Sequence, residues 1–156
     1  MESKTVSQSR ITLAQVMGPT DANTLGNVHG GIIMKICDEA GGMAAVRHAG
    51  VPAVTVTVDS MRFLSPVHIG NIMFVDACVT WVGRTSIETR VTVRAENVRT
   101  GDVTHTNTAY FVYVALGKDG RPVEVPRLIP ETDEEKEIFE KGVLRRQLRL
   151  QLAEAD

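Results

Sequence analysis

Cysteine is scarce in this 156-residue chain: it has two, Cys37 and Cys78, and neither belongs to a Cys-x-x-Cys pair. That excludes a multi-bridge secreted framework. The four histidines, His29, His48, His68 and His105, stand far apart, so ordinary zinc-ligand spacing is missing as well. An excess of one charge is also absent. Lys plus Arg number 17 against 19 Asp plus Glu, for a net charge of -2. Such balance leaves no electrostatic footprint for nucleic acid or an anionic membrane. No apolar run approaches the ~20 residues that span a bilayer, and residues 1–10 lack the apolar core of a signal peptide. No serine sits in a Gly-x-Ser-x-Gly elbow. The expectation is a soluble, cytoplasmic protein with no nucleic-acid partner, no membrane insertion and no metal.

What is present suits one packed domain: 43% hydrophobic and 23% charged residues. Ser9–Met17 alternates, with Ile11, Leu13 and Met17 on one side, and reads as a strand. Residues 18–31 are rich in turn formers and read as a loop. From Ile32 the period becomes helical, with Ile32, Ile33, Ile36, Ala40, Met43 and Ala44 on one apolar face as far as Ala49. Gly41 and Gly42 inside that helix each cost about 1 kcal/mol relative to Ala, so other backbone or a ligand is expected to approach closely there.

After Pro52 the period is two. Val54, Val56 and Val58 open a series continued by Ile72–Val82, Ser86–Asn97 and Val103–Leu116, which predicts four successive strands in an antiparallel meander. In Ser86–Asn97 the alternation places Glu88, Arg90, Thr92, Arg94 and Glu96 on a wet face. Past Pro126 and Pro130, Thr132-Asp133-Glu134-Glu135 resembles a capping box that starts a final helix, with Gly142 as a candidate interruption. The whole is α+β, the long helix lying across the concave side of the sheet.

Lys35 and Glu39 are i,i+4 partners on the solvent side of the long helix. Asp38 differs, because apart from Lys35 its neighbours one turn away are Met34, Gly41 and Gly42. Two readings stand for it: a buried carboxylate satisfied by backbone donors, or a general base or nucleophile fixed by the helix. His29-Gly30-Gly31 precedes the apolar run, so backbone N–H groups of Gly30 and Gly31 lie at a helix N-terminus and suit a carbonyl oxygen. Asn23 could hold a water or orient a carbonyl, or make an Asx-turn. His29 could be a base or bond locally. Cys37 and Cys78 read as inert core thiols.

Residues 21–42, DANTLGNVHGGIIMKICDEAGG, resemble the hotdog-fold acyl-CoA thioesterases, in particular the cytosolic long-chain and bacterial broad-specificity branch. The likeness continues through VTVDSMRFLSPVHIGN (56–71), VGRTSIET (82–89) and PVEVPRLIPETDEEKEIFEKG (122–142), about nine tenths of the chain. It implies a sheet of five to six strands wrapped around one central helix, with a hotdog domain over residues 8–125 and a C-terminal extension with a helix over 126–156. It also implies hydrolysis of fatty acyl-CoA to free acid and CoA without metal or cofactor. In relatives with two tandem copies, one copy supplies the Asn and the other the Asp. A single-copy chain would then dimerise, each site taking Asn23 from one protomer and Asp38 from the other. The family's assembly, a hexamer built as a trimer of such dimers, is implied in the same way.

On this reading Gly30 or Gly31 polarises the thioester carbonyl, Asp38 activates water or attacks directly, and Asn23 holds the water or carbonyl in line. CoA phosphates are expected near Arg84, Thr85 and Ser86, with Arg62 and Arg90 as further candidates. A non-catalytic acyl-CoA binding or sensor module is the alternative. It would have no need of a carboxylate beside a thioester.

Overall fold

In the computed structural model, which describes residues 1–155, a five-stranded antiparallel sheet curls around one long helix. The elements in chain order are β1 (Lys4–Thr5), β2 (Ile11–Val16), α1 (Gly30–Ala49), β3 (Ala53–Asp59), β4 (Ile72–Val82), β5 (Ser86–Glu96), β6 (Val103–Ala115), β7 (Leu128–Ile129) and α2 (Asp133–Ala155). The main sheet runs β2-β4-β5-β6-β3, and β1 pairs with β7 in a small parallel ribbon.

This order corrects the expected four-strand meander. β4, β5 and β6 do follow one another, but β3 pairs with β6 at the far edge, Ala53 opposite Ala115. The reason is the position of α1. The chain leaves the edge strand β2, crosses the sheet as a helix, and re-enters at the opposite edge as β3. Residues 60–71 then bring it back to β4.

Helix α1 buries Ile33, Ile36, Cys37, Ala40, Ala44 and Ala45 against the concave face, where Val75, Val91, Val93 and Phe111 complete the core. The small side chains at 40, 44 and 45 let the helix sit close to the strands. Met43, expected on the apolar face, is 44% exposed. Lys35 and Glu39 pair at 3.8 Å as their spacing suggests. The tail helix starts where the capping box places it, with Thr132 Oγ1 accepting the Glu135 N–H at 3.0 Å.

The convex face of β5 departs from expectation at Glu88. It has no exposed surface, because α2 lies across it. Arg145 reaches it with Nη2 2.7 Å from Oε1 and Nε 2.9 Å from Oε2. Thr80 donates its hydroxyl at 2.8 Å, and Arg149 lies 3.3 Å away while pairing with Asp59 at 2.7 Å. Arg145 also stacks on Tyr110, 3.7 Å from the ring centroid. Gly142 does not interrupt α2; a Cβ there would stand 2.8 Å from Trp81 Cβ, so glycine lets the helix come down onto the sheet. Alternation alone marks Glu88 as wet, since the covering helix begins only at Asp133, far downstream.

Two outcomes follow for stability and reactivity. Arg145→Ala should destabilise by about 3 kcal/mol, because it strips a buried carboxylate of its bidentate partner; adding Glu88→Gln should recover part of that loss, both read by urea denaturation. Burial, helped by the charge of Asp38, pushes the Cys37 thiol up to about 12, and burial raises Cys78 as well. At pH 8 only about 10⁻⁴ of Cys37 is thiolate, so an aromatic disulfide reagent should find no reactive thiol in the native protein and two after denaturation.

Candidate active site

The loop before α1 is built by Asn23. Its side-chain oxygen accepts the N–H groups of Leu25 at 2.9 Å and Asn27 at 3.1 Å, the Asx-turn arrangement. Its backbone N–H reaches Asn27 O at 2.7 Å. The amide oxygen is therefore engaged, and the NH₂ group is the part of Asn23 left to meet a ligand.

His29 is the N-cap of α1, and its Nδ1 accepts the Gly31 N–H at 2.9 Å. This fixes the ring proton on Nε2. It also narrows the pair of glycine donors: the Gly31 N–H is occupied, whereas no hydrogen bond from the Gly30 N–H occurs among the described residues. Gly30 thus carries the open donor at the positive end of a 20-residue helix. A cleft of about 310 Å³ opens there, lined by Asn23, Gly30, Ile33, Phe63, Leu64 and Val67 among others. The Phe63 ring packs over Gly30, 3.5 Å from where a Cβ would be.

Asp38 does not line this cleft. It lies eight residues along α1, about 12 Å from Gly30, half-buried beside the edge strand. Neither backbone donors nor solvent alone satisfy it. Its Oδ1 accepts the Thr55 hydroxyl from β3 at 2.7 Å and the Tyr113 hydroxyl from β6 at 3.0 Å. Within one chain, then, Asn23 and Gly30 come together, and Asp38 stands apart at the β3 edge.

The other candidates scatter. Arg84 is exposed in the β4–β5 turn and lies 3.8 Å from Glu124. Thr85 and Ser86 follow it, half-buried, and Thr85 O accepts the Ala115 N–H beside the far end of α1. Arg62 is exposed on the loop that carries Phe63. Arg90 is on the convex face, 3.9 Å from Glu134 of α2, with the sheet between it and α1. Reasoning from sequence missed Thr55, Tyr113 and Phe63. Thr55 alternates with the valines of its strand and Tyr113 lies within Val103–Leu116, and neither spacing marks a site residue. The signal available was the Gly41-Gly42 pair, which announced a close neighbour without identifying it.

The thioesterase superfamily model matches residues 25–101. The cytosolic acyl coenzyme A thioester hydrolase of Rattus norvegicus is 37% identical over 143 residues, which are 90% of this chain and 38% of that protein; the chain thus spans well under half of that relative's length. A hexameric acyl-CoA thioesterase of known structure is 34% identical with a TM-score of 0.94, covering 98% of each chain. The acyl-CoA hydrolase of Staphylococcus aureus, solved with butyryl coenzyme A and coenzyme A, is 31% identical with a TM-score of 0.89, covering 98% of this chain and 95% of that one. Alanine variants of the Staphylococcus protein have been solved at an asparagine, an aspartate and a threonine, successively 15 and 17 positions apart. Asn23, Asp38 and Thr55 have the same residue types at the same spacing. Sequence, strand order and central helix agree: this chain belongs to the thioesterase superfamily and has the hotdog fold.

Proposed function

We propose that this protein hydrolyses acyl-CoA thioesters at sites shared between two copies of the chain. The observation that carries the reading is Asp38, a carboxylate on a rigid helix, with one oxygen held by two hydroxyls and the other with no donor among the described residues. The Asn-Asp-Thr spacing shared with the Staphylococcus acyl-CoA hydrolase supports it. A binding module would gain nothing from a carboxylate held in this way.

Atoms balance simply. The thioester carbonyl oxygen accepts the Gly30 N–H, which stabilises the oxyanion as it forms. Asp38 takes a proton from water while the oxygen of that water adds to the carbonyl carbon, with Asn23 NH₂ aligning the pair. The C–S bond breaks, and the CoA thiolate leaves and takes the proton. Direct attack by Asp38, through a mixed anhydride that water then opens, uses the same free oxygen. Neither route calls on a metal or cofactor. The CoA phosphates would meet Arg84, Thr85 and Ser86, with Arg62 flanking the cleft; Arg90, on the convex face, is the weakest of this set.

The sharing follows from where Asp38 sits. β3 is an edge strand, and its Val54, Val56 and Val58 are 44%, 54% and 39% exposed. Thr55 on that strand touches Asp38, so a second copy pairing along β3 would bring its own cleft toward this carboxylate. Two equivalent sites per symmetric dimer result. A trimer of such dimers is the assembly we expect, in line with the hexameric relative. Residues 8–125 would form the catalytic unit and 126–156 a C-terminal extension, of which residue 156 lies outside the described residues, with α2 over the convex face. No helix among the described residues is long and apolar enough to cross a membrane. The two free cysteines and the cytosolic rat relative support a cytoplasmic setting.

Asp38→Asn should lower kcat about 10²- to 10⁴-fold while leaving the oligomer unchanged, measured by thiol release across acyl-CoAs from acetyl to palmitoyl. Near-normal turnover would remove Asp38 from the chemistry. Mixing inactive Asn23→Ala and Asp38→Asn chains should restore one working site per mixed dimer. Verified heterodimers without activity would overturn the shared site.

A further inference from the structure

The Tyr113 side chain reaches Asp38 through a space that exists because residue 41 has no side chain. A Cβ on Gly41 would lie 2.6 Å from the Tyr113 hydroxyl and 2.8 Å from Thr89 Oγ1. The ring is 1% exposed and stacks near Phe111, 6.4 Å between centroids, so it is held from the side as well. From this seat the single hydroxyl proton is shared between Oδ1 and the backbone carbonyl of Asp38, each 3.0 Å from the phenol oxygen. Thr55, directly opposite Tyr113 in the β3–β6 ladder, donates its Oγ1–H to the same Oδ1 at 2.7 Å. A carboxylate gripped at one oxygen and at its own carbonyl has little freedom about its side-chain torsions.

We propose that Tyr113 is a positioning residue that fixes Asp38 through Oδ1 and thereby presents Oδ2 as the reacting oxygen. This rests on the reading of Asp38 as the reacting carboxylate. The donor role is secure over the working range, because burial, the charge of Asp38 and the bond to it raise the phenol well above its ordinary acidity range. The groups facing Asp38 are few. Tyr113 comes from β6, Cys37 from its own helix and the uncharged Thr55 from β3, while Thr89 of β5, also uncharged, lies beside the Tyr113 hydroxyl. Lys35 and Glu39 are turned to solvent and pair with each other. Loss of the Tyr113 donor leaves Thr55 as the sole donor to the carboxylate.

The test is a pH profile of kcat and kcat/KM on the full oligomer with one good acyl-CoA. Tyr113→Phe should lower kcat about tenfold with KM unchanged, and should move the acid limb of kcat/KM to higher pH by about one unit. Replacing both tyrosines by 3-fluorotyrosine, a stronger donor of nearly the same shape, should move that limb the other way. A packing role predicts neither displacement. An acid limb in Tyr113→Phe that superimposes on the parent overturns the proposal. If that variant does not fold, an unmoved limb in the fluorotyrosine protein overturns it instead. Asp38→Asn measured alongside separates the two claims. Retained turnover there brings down the reading of Asp38 and this proposal with it. Lost turnover there, with unmoved limbs in the tyrosine proteins, brings down the positioning role alone.

Discussion

The tight packing of the sheet's hydroxyls against α1 at Gly41 governs the rest of the molecule. A helix normally stands about 10 Å from the layer it covers, with side chains filling the gap. Here the sheet's own hydroxyls, from Tyr113 and Thr89, occupy the space that a side chain at residue 41 would take. The helix therefore offers polar contacts to the strands as well as apolar ones, and Asp38 is the group that receives them. A glycine in mid-helix costs about 1 kcal/mol, and the structure accepts that loss in order to tie a carboxylate to a β-strand.

Much of this arrangement was legible in the sequence because it is local. The helical period after Ile32, the capping box at Thr132 and the span of β4 are set by neighbours within a few residues, and each element lies close to its expected bounds. Asn23, Gly30 and Asp38 stood out for the same reason: turn chemistry, a helix start and a polar residue among small ones are short-range patterns. What stayed hidden was long-range. That β3 pairs with β6 and not with β4 depends on how a 20-residue helix spans the sheet, and nothing in the alternation of Val54–Asp59 encodes its partner. Glu88 was misplaced because period two identifies the two faces of a strand without saying what lies beyond them. Thr55 and Tyr113 were missed as the companions of Asp38 for a related reason: their separations of 17 and 75 residues exceed any pattern read from spacing.

The convex face shows how a small core is extended. α2 adds little apolar cover of its own beyond Ile138 and Phe139, which are partly buried. It is fastened instead by charge, through Glu88, Asp59, Arg145 and Arg149, with the aromatic faces of Tyr110 and Trp81 receiving Arg145 and Arg146. A buried carboxylate with two guanidinium partners contributes modestly to net stability but tolerates no loss of a partner. It therefore specifies the seat of α2 more than it strengthens it. The β1–β7 ribbon does the same for the two ends of the chain, tying Lys4–Thr5 to Leu128–Ile129.

Strand β3 carries a further consequence. From Ala53 to Asp59 it contains no lysine and no proline, and the break in register between Thr55 and Thr57 is the one irregularity in its pairing with β6. Edge strands with so little protection can recruit further strands and lead to insoluble stacks. If β3 pairs with a second copy as proposed, a newly made chain must find its sister quickly, and mutations that loosen the pairing would be selected against for precipitation before any loss of turnover was felt. On that proposal the same seven residues answer to two pressures, solubility and catalysis, and neither can drift without the other.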